Sequence, residues 1–357
     1  MTGRPRPAVD ALPAFRPGKA AAQAEAEHGI TNAIKLASNE TPWRPVPSVA
    51  AAIDAAAAGV NRYADHRATE LRSVLADSLG VASDQVGVSC GSVGLLQQLC
   101  LTYVDPGDEV VYPWRSFEVY PVFTQLAGGS SVTVPLVDHR FDLDAVASAV
   151  GPKTKLVFLA SPNNPSGTSM SADDLTRFVE SIDSGTLVVL DEAYREFNDP
   201  ELGDPISDVL PNHDNVVVLR TFSKAHGLAG LRVGYMVGDP AVVASVDKTL
   251  LPFSVNAIAQ AAAVAAVGAA AEIGERVALL EAERDRVVET LAAAGHVFPK
   301  PQANFVWLPL GDRSDAVGLG LEKRGVVTRL FSGEGIRVTI GTPEENDRFL
   351  ATLAELI

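Results

Sequence analysis

Four short, nearly all-apolar runs constrain the fold of this chain more than any other feature. They are Lys155 to Leu159, Leu187 to Leu190, Val216 to Leu219 and Val233 to Val237, each bounded by turn residues. A strand with one wet face alternates apolar and polar side chains, so a continuously apolar run has to be covered on both faces. Between the first two lies a helical pattern, Ser171 to Ser181, opened by the capping-type sequence Ser171-Ala172-Asp173-Asp174. Strands alternating with helices in this way predict an α/β fold with a mainly parallel sheet and helices on both sides. Upstream, strands at Val86 to Ser89, Glu109 to Tyr112 and Ser131 to Pro135 and helices at Pro47 to Ala58 and Gly94 to Val104 continue the alternation. After Ser254 the pattern changes. Ala257 to Ala294 is helical with interruptions at Gly268 and Gly274, and three strands follow, Phe305 to Leu308, Val326 to Thr328 and Ile336 to Ile340. A last helix starts at Pro343. The expected division is an N-terminal arm at 1–45 packed on the small domain, a large domain at 46–256, and a small α+β domain at 257–357.

Composition narrows the partners. The chain has 29 Lys and Arg against 44 Asp and Glu, a net charge of −15. No basic stripe is present to meet nucleic-acid phosphates. Cys90 and Cys100 have no CxxC spacing, which leaves neither a disulfide framework nor a zinc site and fits a reducing cytoplasm. Arg4 to Pro7 is not followed by the apolar stretch of a secretory signal. Thr249 to Ala271 is uncharged, but Pro252, Ser254, Asn256, Gln260 and its many alanines read as a turn and a soluble helix, not a membrane span.

Four features fall at strand ends or helix starts, where open α/β sheets bind ligands. Ser89-Cys90-Gly91-Ser92-Val93-Gly94 is a glycine turn whose backbone N–H groups could hold an anion at a helix N-terminus. It matches neither GxGxxG nor GxxxxGK[ST], so neither a dinucleotide fingerprint nor a P-loop is supported. Asn164 follows an apolar strand within Ser161-Pro162-Asn163-Asn164-Pro165-Ser166-Gly167. Asp191 closes the next strand and leads into Glu192-Ala193-Tyr194; burying its carboxylate requires a cation or strong donors. Lys224 follows a third strand, and Arg232 lies eight positions on in a segment with Gly227, Gly230 and Gly234, which argue for close backbone approach. A point cation and a bidentate anion clamp on one segment suit a charged ligand. Together these match pyridoxal phosphate, which needs a lysine for a Schiff base, a carboxylate at its ring nitrogen, donors to its phenolic oxygen and a phosphate cradle.

On these motifs, with Lys35-Leu36-Ala37-Ser38-Asn39-Glu40-Thr41-Pro42, the sequence resembles the fold-type I pyridoxal-phosphate aminotransferases. Within them it is similar to the histidinol-phosphate aminotransferase family, and most to its aromatic amino acid branch. The resemblance runs from about Leu12 to the C-terminus. It implies that Lys224 holds the cofactor and moves the proton, that Asp191 meets the ring nitrogen, and that Tyr194 and Asn164 meet the phenolic oxygen. Ser223, Arg232 and the backbone of Gly91, Ser92 and Val93 would hold the phosphate, with Phe117 stacked on the ring. Tyr63 would reach the phosphate of a neighbouring subunit, which implies a homodimer with shared sites. Arg337 would clamp the substrate α-carboxylate, Asn39 would contact substrate, and Arg329 sits where the family binds a distal phosphate. Two positions depart from the pattern. Phe15 stands where tyrosine is common, trading a phosphate donor for an apolar wall, and His226 stands where a larger aromatic is usual.

The expected activity is transfer of nitrogen from aromatic amino acids to 2-oxoglutarate by a ping-pong cycle, with amino and 2-oxo acids as partners and neither nucleic acid nor membrane. Histidinol phosphate is the alternative substrate, because Arg329 is retained. A non-catalytic aminotransferase-like sensor is disfavoured by Lys224, and a nicotinamide-dependent dehydrogenase by the missing GxGxxG.

Overall fold

The computed structural model describes residues 3–12 and 18–357. Its strands, in chain order, are β1 Ile34–Leu36, β2 Val86–Ser89, β3 Glu109–Trp114, β4 Ser130–Pro135, β5 Thr154–Ala160, β6 Leu187–Asp191, β7 Val216–Thr221, β8 Gly234–Gly238, β9 Phe305–Leu308, β10 Val326–Phe331 and β11 Gly335–Thr339. Seven form one sheet in the order β2-β8-β7-β6-β5-β3-β4. It is parallel from β7 to β4, while β8 runs antiparallel to β7 and β2.

The apolar runs are covered on both sides, and successive residues divide between two cores. Val157, Leu159, Val188, Leu190, Val216 and Val218 face one core. Leu156, Phe158, Leu187, Val189, Val217 and Leu219 face the other. Neither face is left for water, which is why these strands carry no polar alternation.

The remaining strands form a four-stranded sheet, β1-β10-β11-β9. The N-terminal segment joins it through β1, parallel to β10 with Leu36 opposite Thr328. The helical stretch after Asn256 is two helices, Ala257–Gly268 and Ala270–Ala293, meeting at 81°. Gly268 ends the first, but Gly274 does not interrupt the second. A Cβ at Gly274 would meet only open space, and the stripe Ile273, Val277, Leu280, Arg284, Val287 and Leu291 stays buried past it. Such a stripe outweighs the ~1 kcal/mol that glycine costs within a helix. Ala259, Ala262, Ala263 and Ala266 are buried where the first helix packs on helix Pro47–Ala57. No single helix among the described residues is long and apolar enough to cross a membrane.

A charged cluster locks the ends of β6 and β7. Arg220 Nε donates to Glu192 Oε2 at 2.8 Å, and Arg220 Nη2 donates to Asp204 Oδ1 at 2.6 Å. Arg220 and Glu192 are 5% and 2% exposed, so removing the arginine strands a carboxylate out of water. Arg220→Met is therefore expected to lower the unfolding free energy by about 3–5 kcal/mol in urea titration. The Arg220→Met/Glu192→Leu double variant should recover part of that loss. A single variant that unfolds at the wild-type midpoint would show that the pair does not hold these ends.

Candidate active site

Adjacent parallel strands end level with one another, and that brings the predicted residues together. Asp191 is in register with Ala160 of β5 and with Leu219 of β7. Asn164, Asp191 and Lys224 thus leave neighbouring strands at the same edge of the sheet. Facing them across a cavity of about 240 Å³ are Asn39, just after β1, Arg329 of β10 and Arg337 of β11. Ser92, Val93, Phe117, Tyr194, Ser223 and Arg232 complete the predicted residues that line it.

Lys224 Nζ donates to the Ser38 carbonyl at 3.1 Å. Burial, with the nearby cations Arg337 and Arg232, pushes its ammonium down to about 7, against Glu40 and Asp191, which favour the charge. A large fraction of the amine is therefore neutral near neutral pH, able to act as nucleophile or base. Asp191 is buried, and its pKa is pushed up to about 6 by desolvation, offset by hydrogen bonds. Asp191 Oδ2 accepts from the Tyr120 hydroxyl at 3.0 Å and Oδ1 from the Ala193 amide at 3.2 Å. These donors are neutral; Lys224 acts on the carboxylate only as a nearby charge.

Tyr194 is buried with its hydroxyl accepting from Asn39 Nδ2 at 2.8 Å. Asn39 adopts φ +55°, a left-handed conformation that asparagine tolerates, and its amide N–H donates to Thr339 Oγ1 of β11 at 2.9 Å. Arg337 is buried and lowered to about 10 chiefly by desolvation. Its Nη1 donates to Asn164 Oδ1 at 2.5 Å and its Nη2 to the Ala37 carbonyl at 2.6 Å, while Nε has no partner.

The anion cradle lies at the other end. Helix Gly91–Tyr103 begins three residues earlier than its sequence pattern indicates, so Gly91, Ser92 and Val93 form its first turn. Amides in a first turn have no intrahelical acceptor and carry the positive end of the helix dipole. Gly91, at φ +75°, does not line the cavity but abuts it: a Cβ there would lie 2.8 Å from Arg232 Nη2. Arg232 Nη1 donates to the Ala229 carbonyl at 2.7 Å and to Ser223 Oγ at 3.3 Å. Of the glycines around Arg232, Gly234 is the tight one, since a Cβ would come within 2.5 Å of the Ser92 nitrogen, whereas Gly230 faces open space.

Some residues fall elsewhere. Tyr63 is 84% exposed, outside the cavity, and stacks on Phe253 at 4.5 Å between ring centroids. Phe15 lies outside the described residues. His226 packs edge-on against Phe222 and sits 3.7 Å from Glu196, away from the cavity lining, with burial lowering its pKa. Sequence reasoning missed Tyr120, Glu118 and the Ser38 carbonyl. Tyr120 follows Phe117 by one helical turn, but a tyrosine at that spacing is indistinguishable from core.

Comparison with known proteins gives this arrangement its family. A family profile described as aminotransferase class I and II matches residues 31–353. The chain belongs to that family. It is 48% identical over 350 residues to an aromatic amino acid aminotransferase of Mycobacteroides abscessus, covering 98% of each chain. It is 49% identical over 352 residues to one of Rhodococcus opacus, covering 98% of this chain and 95% of that one. Among solved structures, a histidinol-phosphate aminotransferase of Sinorhizobium meliloti in complex with pyridoxal-5'-phosphate superposes with a TM-score of 0.92 at 32% identity, covering 100% of this chain and 98% of that chain. This protein is an aminotransferase with pyridoxal 5'-phosphate as its cofactor. The residues present fit that group. A depressed lysine amine, a buried carboxylate whose direct hydrogen bonds come from neutral donors, and a helix N-terminus beside an arginine share one cavity.

The depressed Lys224 amine should show directly in the cofactor-free aminotransferase. Arylation by limiting trinitrobenzenesulfonate, in which the amine displaces sulfite from the ring, should modify Lys224 first when mapped by mass spectrometry, with a rate that rises with pH through an inflection near 7. An inflection in the ordinary lysine range would show that burial does not depress this amine.

Proposed function

We propose that this aminotransferase moves the amino group of aromatic amino acids to 2-oxoglutarate in a ping-pong cycle in the cytoplasm, giving aromatic 2-oxo acids and glutamate. The observation that carries this reading is a lysine amine of depressed basicity, a buried carboxylate and a buried arginine converging on one cavity with Phe117 on its wall. Bound pyridoxal phosphate supplies an electron sink that makes the substrate Cα–H acidic and carries nitrogen between the two half-reactions.

The chain's own groups do the rest. Arg337 pairs bidentately with the substrate α-carboxylate, and Asn39 and Asn164 fix the side chains around it. Lys224 Nζ would take up and hold the substrate Cα proton, a task for which an amine near neutrality is suited. Asp191 would stabilise a protonated ring nitrogen, and Tyr194 and Asn164 would donate toward the phenolic oxygen. Ser223, Arg232 and the amides of Gly91 to Val93 would hold the phosphate, and Phe117 would lie against the ring. The residue divisions 1–45, 46–256 and 257–357 act as arm, cofactor domain and small domain, with the cavity between the sheets of the last two.

The aromatic assignment is supported by the relatives at 48% and 49% identity. A second reading, histidinol phosphate as amino donor, is favoured by one observation, the Arg329 guanidinium in the cavity wall. Steady-state kinetics of the holoenzyme with 2-oxoglutarate separate the two. Phenylalanine is expected to have a higher kcat/KM than histidinol phosphate, and the reverse order would overturn the aromatic reading.

The working unit is a homodimer in which Tyr63 of one copy reaches the phosphate site of the other. Supporting it is an outward apolar patch in which Tyr63, Leu251 and Phe253 are 84%, 72% and 43% exposed. Sedimentation velocity at micromolar protein should give twice the 37.5 kDa chain mass. A monomer with full activity would exclude the shared site.

A further inference from the structure

Arg329 and Arg337 occupy directly opposed positions on the antiparallel strands β10 and β11. Opposed residues of a ladder project on the same side of the sheet, and two like charges placed so are destabilising. Their repulsion is one cause, after burial, of the lowered basicity of Arg337. Something has to offset it. Arg337 is held by Asn164 and the Ala37 carbonyl, both neutral acceptors. Arg329 Nη2 instead donates to the carboxylate Oε2 of Glu118 at 2.5 Å. Glu118 follows Phe117, lines the same cavity and precedes helix Val119–Ala127. Its side chain is 38% exposed and that of Arg329 18%, so the acid can leave toward water while the arginine stays in the wall.

We propose that Glu118 is a specificity-determining residue that makes any anion at the far end of a substrate compete for Arg329. The inference rests on the substrate reading above. With an uncharged aromatic side chain in the cavity, the Glu118–Arg329 pair remains closed and presents no net charge. An anionic side chain has to displace Glu118, exchanging one charge-assisted hydrogen bond for another of the same kind. The displaced carboxylate then stands beside the newcomer, and like charges brought together disfavour the complex. A carboxylate, as on 2-oxoglutarate, meets this repulsion as a monoanion and is tolerated. A phosphate dianion meets about twice as much, because the energy scales with the product of the charges. Arg329 alone would also hold the dianion about twice as strongly, so the role of Glu118 is to offset the preference for a distal phosphate that the arginine would otherwise give.

The test uses the holoenzyme and two unreactive ligands, glutarate and 3-phenylpropionate, titrated by the absorbance of the bound cofactor. In Glu118→Gln the Kd for glutarate is expected to fall about tenfold while that for 3-phenylpropionate moves less than about threefold. The kcat/KM ratio of histidinol phosphate to phenylalanine should rise by about tenfold or more. Adding Arg329→Gln to Glu118→Gln should abolish the glutarate gain. Should the glutamine variant fail to fold, Glu118→Asp, which withdraws the carboxylate by one methylene, should move glutarate in the same direction by less. A Glu118→Gln enzyme that binds glutarate no more tightly, or shifts both ligands equally, would overturn the proposal, since a purely structural acid would act on both alike. If wild-type enzyme prefers histidinol phosphate, the substrate reading fails, while the glutarate titration still decides whether Glu118 competes for Arg329.

Discussion

Taking a charge out of water is the cost around which this molecule is arranged. An unpaired ammonium or carboxylate in an apolar interior is too expensive to keep, so such groups shift their pKa, find partners or await a ligand. Lys224 and Asp191 have shifted toward neutrality. Arg220 and Glu192 beneath them have paired. Arg337 has neutral acceptors and one unpartnered Nε. The same constraint separates two uses of charge: the Arg220–Glu192 pair holds strand ends together, while Lys224, Asp191 and Arg337, answered only in part, face the cavity.

The sheet makes that division possible. With both faces sealed by apolar side chains, polar groups can gather only where strands stop, and parallel neighbours stop at one edge. Asn164, Asp191 and Lys224 are far apart in sequence, yet each lies within a few residues of the end of β5, β6 or β7. The smaller sheet closes the cavity from the opposite side, and β1 ties Ser38 and Asn39 into that wall. Two sheets with separate hydrogen-bond networks therefore share one site.

Much of this was legible from local pattern. The buried strands announced themselves by missing alternation, and helix Ala172–Glu180 by a capping box that the structure shows between Ser171 and Asp174. The pattern does not reveal helices Thr69–Leu79 and Val119–Ala127, which have no side-chain cap, nor the short helices Leu143–Ala149 and Pro240–Val246, although Asp142 and Asp239 cap them. The sequence pattern starts helix Gly91–Tyr103 three residues late, because a left-handed glycine looks like a turn in sequence, whereas here it opens the helix. The site divides in the same way. Lys224, Asp191, Asn164 and Arg232 sit in short segments with recognisable composition. Glu118 and Tyr120 act through partners 211 and 71 residues away, and no local pattern encodes such a meeting.

The opposed placement of Arg329 and Arg337 has a geometric meaning beyond their charges. Both grow from one ladder whose cross-strand Cα spacing is fixed at about 4.5–5.5 Å, so the separation of their roots is a backbone constant that no side-chain substitution alters. The small sheet acts as a gauge. Its pitch sets how long a molecule must be to touch both cations, and slipping the register by one residue would turn the entire row to the other face. Chain length of the ligand, as much as its charge, is thus measured by the hydrogen bonds between two strands.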